Sequence, residues 1–116
     1  MDIQRLQKRL REFTAARDWE QFHSPKNLAM ALVAEVGELV EQFQWLTDEQ
    51  SRQLVDQPKS MEPLREELAD VTIYLLRLAD TLSVDLEAAV DTKIAINEIK
   101  YPVDASYGNA TKYNRR

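Results

Sequence analysis

Two apolar stretches, at positions 28–43 and 64–82, are interrupted mainly by acidic side chains. A surface helix normally keeps its acids on the solvent face, away from its apolar stripe. An acid among apolar positions is costly unless it is paired or holds a metal ion. Each stretch has two acids three residues apart, and these are Glu35 and Glu38 in the first and Glu67 and Asp70 in the second. Their number and setting predict a cation site.

Apolar residues recur every three or four positions along most of the chain, which predicts helices. Ser24-Pro25 is a typical helix start, with serine as the cap and proline at the first helical position. Neither a hairpin turn nor an alternating strand is visible in the sequence. The predicted helices are 2–17, 25–46, a short one at 47–55, one that begins between Ser60 and Pro63 and ends near Leu82, and 86–101.

Four long helices joined by short connections predict an all-α fold, with a four-helix antiparallel bundle as the default. We expect residues 1–103 to form one domain and the polar segment 104–116 to form an irregular tail. The third long helix is apolar almost all round from Val71 to Ala79. Because a single bundle covers only one stripe of each helix, we expect assembly into a homodimer or homotetramer.

The spacing of the acids predicts what they bind. Residues three apart lie on the same face of a helix, so the two pairs converge if their helices are neighbours. Oxygen ligands without nitrogen or sulfur favour Mg²⁺, or Mn²⁺, and Mg²⁺ in proteins is commonly completed by substrate phosphates. A di-iron carboxylate site needs Glu-x-x-His on two helices, whereas the only histidine, His23, lies in a predicted loop. The acids therefore imply a phosphorylated ligand.

Composition excludes several classes of function. The net charge of −5 argues against binding to a nucleic-acid polymer, which needs a basic face. The two glycines, Gly37 and Gly108, cannot build a glycine-rich phosphate loop. No cysteine is present to form a thiolate nucleophile or metal ligand. No segment reaches the roughly 18 uninterrupted apolar residues of a membrane span. The charged start does not resemble a signal peptide, so we expect a cytoplasmic protein without membrane contact.

A second group of residues is aromatic and lies just before the second helix. Trp19, Phe22 and His23 could form a slot for a flat base. Trp45 comes ten residues after Glu35 on the same predicted helix, a separation of about 15 Å. The alternative for each tryptophan taken singly is a core position. Together with the acids, this arrangement favours a ligand with a phosphate end and a base end.

The chain resembles the MazG-like superfamily of all-α nucleotide pyrophosphohydrolases, whose signature is ExxE followed by ExxD. Here 28 residues separate Glu38 from Glu67. More closely, the chain resembles the dCTP pyrophosphatases, from about Leu6 to Tyr113. The strings that carry this resemblance are Arg17-Asp18-Trp19-Glu20-Gln21-Phe22-His23, Glu35-Val36-Gly37-Glu38-Leu39, Phe43-Gln44-Trp45, Glu66-Glu67-Leu68 with Asp70-Val71, Tyr101-Pro102-Val103 and Lys112-Tyr113.

The resemblance implies cleavage of a nucleoside triphosphate between its α- and β-phosphates, giving a monophosphate and pyrophosphate. The implied substrate is dCTP or a 5-modified dCTP, and the implied role is house-cleaning of the nucleotide pool. It assigns Mg²⁺ ligation to Glu35, Glu38, Glu67 and Asp70, the base and sugar pocket to Trp19, His23 and Trp45, and further substrate contacts to Tyr74, Lys93 and Asn97. We expect a carboxylate to take the proton of an attacking water, with Glu38 as the first candidate and Glu41 as the second.

Two positions depart from the animal dCTP pyrophosphatases. Leu10 stands where they have a histidine near the base, and Tyr107 stands where an arginine is expected before the tail glycine. A dUTPase- or dITPase-like activity on the same scaffold is therefore one alternative. The other is a non-enzymatic helical oligomerisation module, in which the acids pair with basic residues across an interface.

Overall fold

The computed structural model describes residues 1–115, and every regular element in that range is helical. The α-helices are α1 (Ile3–Ala16), α2 (Pro25–Glu41), α3 (Asp48–Arg52), α4 (Pro58–Thr81), α5 (Leu86–Lys100) and α6 (Val103–Ser106). Short 3₁₀ turns occupy Glu20–Phe22, Leu54–Asp56 and Tyr113–Arg115. The all-α prediction is confirmed. No helix in the described range is long and apolar enough to cross a membrane.

Side-chain caps begin two of the helices where the sequence predicts them. The Ser24 side chain accepts a hydrogen bond from the backbone N–H of Asn27, and Pro25 occupies the first turn of α2. At α3, Thr47 and Gln50 exchange side-chain and backbone hydrogen bonds in a complete capping box. Each cap satisfies a backbone N–H that has no partner within its own helix.

Helix α2 ends earlier than predicted, at Glu41 rather than Leu46. The backbone N–H groups of Gln42 and Phe43 bond to carbonyls three residues back, so the chain tightens into turns and leaves the α-helical path. Trp45 consequently lies in a turn and not on the helix that carries Glu35. The prediction that both residues share one helix is wrong.

Helix α4 begins earlier than predicted, at Pro58 rather than between Ser60 and Pro63. Proline is well suited to the first helical position, because its missing N–H would have no helical partner there. Pro63 lies inside the helix and has no N–H to offer the carbonyl four residues earlier. The helix therefore has two prolines within its first six residues and still continues to Thr81.

The first compact unit, Met1–Ser83, is organised around α4. Helix α4 packs chiefly against α2 and also against α1. Its core includes Leu28 of α2 together with Leu64 and Leu76 of α4, which are at most 5 % exposed. The Gln7 side chain donates a 3.0 Å hydrogen bond to the carbonyl of Leu76 and so fixes α1 along α4.

The second compact unit begins at Val84 and contains α5 and α6. In this unit the Tyr101 and Tyr113 rings meet edge to face at 6.0 Å, and the Lys100 ammonium lies 4.8 Å from the Tyr113 ring centre. Part of the predicted tail therefore packs against the end of α5. The domain boundary after residue 103, the antiparallel four-helix bundle and its assembly into oligomers stay predictions.

Candidate metal centre and adjoining cavity

Three carboxylates meet where α2 packs against α4. One oxygen atom from each of Glu35, Glu38 and Glu67 lies within 4.8 Å of the other two. Glu35 and Glu38 share one face of α2 because they are three residues apart, and Glu67 approaches that face from α4. We call these three residues the carboxylate cluster. In the described range it is the one place where three or more potential ligand side chains converge in this way.

Burial and mutual repulsion raise the pKa of two carboxyls in the cluster. For Glu35, burial raises the pKa above its ordinary value, and the negative charges of Glu38 and Asp70 raise it further. For Glu67, burial is again the largest cause, followed by the charges of Glu38, Glu35 and Asp70. Each raised pKa means that the ionised form is disfavoured until a positive charge compensates it.

Two oxygen atoms of the cluster are buried without any partner. Oε2 of Glu35 and Oε2 of Glu67 accept no hydrogen bond within residues 1–115. A buried polar atom in that state is costly, and a charged one more so. A divalent cation would give both oxygens a ligand bond and an opposite charge. The oxygen-only donor set fits a hard ion such as Mg²⁺ or Mn²⁺.

The other predicted acids flank the cluster. Asp70 is half-buried one turn after Glu67, and its charge contributes to both raised pKa values, but it lies outside the three-residue group. Glu41 is the exposed last residue of α2. Glu38 is also exposed, so solvent and a ligand can reach it. Metal ligation by Asp70 and the catalytic roles of Glu38 and Glu41 stay predictions.

A cavity of about 700 Å³ lies between α1, the segment 19–23 and α4. Trp19, His23 and Tyr74, which the resemblance assigns to substrate binding, all line it. Residues 68 and 69 of α4 also line it, and they follow directly after Glu67. The cavity and the carboxylate cluster are therefore adjacent along α4.

Aromatic rings form the wall of this cavity on the side of α1. Phe13 and Trp19 meet edge to face with ring centres 5.8 Å apart, and both line the cavity. The backbone N–H of Trp19 donates to the carbonyl of Thr14 at 3.0 Å, which fixes the chain as it leaves α1. Asp18 allows the chain to turn after α1 by adopting φ 54°, a left-handed conformation that aspartate tolerates better than most residues.

His23 lines the cavity with one ring nitrogen unpaired. Its Nδ1 atom is buried and has no hydrogen-bond partner in the described part of the chain. Burial lowers the pKa of His23 below 6.5, and the positive charge of Arg77 lowers it further. The imidazole is therefore neutral at pH 7 and can either donate or accept a hydrogen bond at a cavity ligand.

Arg77 is a cavity residue that the sequence did not identify. It lies on α4, is only 6 % exposed and lines the cavity together with His23. Its Nη1 atom is 3.5 Å from the carboxylate of Asp80, which itself accepts two 2.9 Å hydrogen bonds from Arg11. In the sequence, Arg77 is a single arginine in an otherwise apolar run. Its spacing alone does not show whether its side chain faces solvent or a cavity.

Three predicted substrate residues are not among those that line the cavity. Trp45 is 87 % exposed in the turn after α2. Lys93 and Asn97 are exposed and lie one turn apart on α5, in the second compact unit. Their roles stay predictions. Leu10, which replaces the histidine expected from the resemblance, does line the cavity.

Comparisons with known proteins identify relatives of this chain. A sequence model described as the MazG-like family matches residues 30–115. Rat dCTP pyrophosphatase 1 is 53% identical over 112 residues, or 97% of this chain and 64% of the rat protein. The human protein of the same name is 49% identical over the same shares of each chain. The chain thus spans somewhat less than two thirds of the length of these curated relatives.

A solved structure is similar as well. The crystal structure of a pyrophosphatase from Archaeoglobus fulgidus superimposes with a TM-score of 0.76 at 41% sequence identity. The match covers 88% of this chain and 94% of the archaeal one. The two chains therefore share a fold over most of their length.

Proposed function

The chain belongs to the MazG-like family, and from that premise we propose that it is a metal-dependent nucleoside triphosphate pyrophosphohydrolase. The proposed reaction cleaves dCTP, or a 5-modified dCTP, to the monophosphate and pyrophosphate. The observation that carries the proposal is the carboxylate cluster, whose two buried oxygens lack a partner beside an aromatic cavity. The relatives named dCTP pyrophosphatase 1 support the choice of substrate.

The acids of the cluster and their neighbours have two roles in this proposal, metal ligation and proton transfer. Glu35 and Glu67 would hold Mg²⁺ or Mn²⁺ with Glu38, and Asp70 would complete the set. A cation bound there supplies positive charge for the phosphate oxygens and activates water. Glu38 accepts the proton of the attacking water, because it belongs to the cluster and is accessible. Glu41, on the last turn of α2, is the second candidate for this base.

The cavity orients the nucleoside. Trp19 and Tyr74 provide aromatic surface for the base and exclude water from it, and His23 offers a hydrogen bond. We also assign substrate contacts to Trp45, Lys93 and Asn97. When the base is held in the cavity, the triphosphate is positioned against the carboxylates. The binding energy of the base thereby aligns the attacked phosphorus with the water.

Two further properties belong to this proposal. The protein acts in the cytoplasm on free nucleotides, without nucleic-acid polymers or membranes as partners. It assembles into a homodimer or homotetramer, because many large apolar side chains are exposed in the single chain, among them Met30, Val33, Val40, Ile94 and Ile99. Light scattering of the purified protein tests the assembly, since a monomer has a mass of only 13.5 kDa.

A panel of deoxynucleoside triphosphates tests the proposed reaction. Each nucleotide, including dUTP, dITP and 5-methyl-dCTP, is incubated with purified protein and Mg²⁺, and the products are separated. We expect dCMP and pyrophosphate in equal amounts from dCTP, and no turnover when EDTA replaces Mg²⁺. Preference for dUTP or dITP would instead support the alternative activity on this scaffold. Absence of turnover with every nucleotide would support the non-enzymatic alternative and contradict the proposal.

A further inference from the structure

Arg77 is a buried cation in a position where an apolar side chain would pack. It is 6 % exposed and lies between two other buried residues of α4, Leu76 and Ala79. Burying a guanidinium costs free energy unless its charge is paired and its N–H groups find acceptors. Arg77 meets each of these conditions only in part.

The charge of Arg77 is opposed by Asp80, a carboxylate that Arg77 shares with Arg11. Its Nη1 atom lies 3.5 Å from Oδ2 of Asp80, beyond a short hydrogen bond, while Arg11 donates to both oxygens of the same carboxylate at 2.9 Å. The Nε atom of Arg77 is buried and has no hydrogen-bond partner within residues 1–115. A guanidinium carries five N–H donors and no acceptor, so Arg77 still has N–H groups that need a hydrogen-bond acceptor.

The cavity beside Arg77 holds a second group with unused hydrogen-bonding capacity. Both Arg77 and His23 line the cavity, and the charge of Arg77 acts directly on the imidazole. Neutral His23 has Nδ1 without a partner, so it can present a lone pair there. The cavity thus combines the buried N–H donors of Arg77 with a possible acceptor at His23, while the second arginine of its lining, Arg9, is exposed.

Arg77 also stands at a suitable distance from the phosphate end of the site. Asp70, Tyr74 and Arg77 are spaced by four and three residues, so they form one stripe along α4. At the rise of an α-helix, the seven residues from Asp70 to Arg77 span about 10 Å. A nucleotide whose phosphates lie at the carboxylate cluster would extend its base along this stripe toward Arg77.

We propose that Arg77 determines base specificity by donating its guanidinium fork to two adjacent acceptors on the base, O2 and N3 of cytosine. This inference rests on the proposed function and extends it to the base. The exocyclic amine of cytosine would then face the lone pair of His23. Uracil and thymine carry N3–H in place of the N3 acceptor. Their N3–H donor would therefore face an N–H donor of Arg77, and no hydrogen bond could form there.

Substitution of Arg77, matched with Arg11, tests the proposal. Both arginines contact Asp80, but only Arg77 lines the cavity. In Arg77→Met we expect the ratio of kcat/KM for dCTP over dUTP to fall by about tenfold or more, the value of a bidentate base contact. In Arg11→Met the ratio should change by less than about twofold, because Arg11 forms a half-exposed surface pair.

A second variant keeps the test decisive if Arg77→Met folds poorly. Arg77→Lys retains the positive charge but lacks the planar fork, so we expect it to lose the same discrimination. An unchanged ratio in either folded variant overturns the proposal. A wild-type preference for dGTP overturns it as well, since the fork would then face O6 and N7 of guanine.

Binding measurements separate this inference from the proposed reaction. Calorimetry of dCMP and dUMP with the wild type and with Arg77→Met compares base selectivity without any turnover. Selective dCMP binding that is lost in Arg77→Met supports the inference even if no nucleotide is hydrolysed. If the wild type and Arg77→Met prefer dCMP over dUMP to the same extent, the inference about Arg77 is contradicted, whereas the proposed hydrolysis is not.

Discussion

At the scale of single residues, the first unit contains four buried side-chain nitrogen and oxygen atoms that lack a hydrogen-bond partner. They belong to His23, Glu35, Glu67 and Arg77. Native interiors seldom leave buried polar groups unsatisfied. Here the unsatisfied acceptors lie in the carboxylate cluster, whereas Arg77 and His23 line the cavity. The distribution matches a ligand with a cation-bound end and a hydrogen-bonding end.

The titration of His23 tests the electrostatics of the cavity. His23 is the only histidine, so its imidazole signal in a proton NMR titration is unambiguous. Burial and the charge of Arg77 lower its pKa below 6.5. We therefore expect Arg77→Met to raise the pKa of His23 toward 6.5, and Arg11→Met to leave it unchanged. Equal pKa values in the wild type and Arg77→Met would contradict the electrostatic effect of Arg77 on His23.

The same lowered pKa has a consequence for stability. Well above pH 6.5, His23 is neutral in both the folded and the unfolded chain. As the pH falls through this value the unfolded chain takes up the proton first, so this residue lowers the free energy of unfolding until the folded protein is protonated too. Removing the Arg77 charge should weaken this dependence.

Sequence reasoning at this scale identified residues whose chemistry follows from spacing. Glu35 and Glu38 could be placed on one face because their separation matches the helical period. Arg77 could not be placed, because an isolated arginine in an apolar run is compatible with a solvent-facing or a buried orientation. Only the packing of α1 against α4 shows that it is enclosed.

At the scale of the helices, α2 carries two acids of the carboxylate cluster and an unusual glycine between them. Gly37 lies between the two acids of α2 and is exposed. A Cβ atom added there would meet nothing within 4 Å. The structure of the single chain therefore contains no close contact that requires glycine at this position, although glycine weakens a helix interior.

Gly37→Ala should accordingly stabilise the protein. We expect a gain of about 0.5 to 1 kcal/mol in the free energy of unfolding, measured by urea denaturation. The matched reverse change, Ala34→Gly at an exposed position of the same helix, should lose a similar amount. A loss of stability in Gly37→Ala would instead mean that another molecule or chain approaches the helix at this point.

Helix starts were easier to predict than helix ends. The caps at Ser24 and Thr47 are local, because serine or threonine and the residues three positions later determine them. The end of α2 depends on a change of backbone hydrogen bonding after Glu41 that no glycine or proline marks. The exception among the starts is α4, which begins at Pro58, earlier than predicted, although proline is well suited to the first helical position.

At the scale of the whole molecule, the site depends on α4. This helix supplies Glu67 to the carboxylate cluster and Arg77 to the cavity, and it packs against both α1 and α2. Repulsion among the acids and burial of a guanidinium both oppose folding. We infer that these unfavourable charges are present because ligand binding requires them. A divalent cation bound to the acids and a nucleotide bound to Arg77 would together lower their free-energy cost.

The most direct test of the account is the rate of pyrophosphate release from dCTP by Glu67→Gln and Glu66→Gln. Glu67 belongs to the carboxylate cluster, whereas its neighbour Glu66 is exposed and lies outside it. With Mg²⁺ present, we predict that Glu67→Gln lowers the rate by about 100-fold or more and that Glu66→Gln retains wild-type turnover. Equal, metal-dependent rates in the two variants would contradict the assignment of the cluster as the catalytic metal centre.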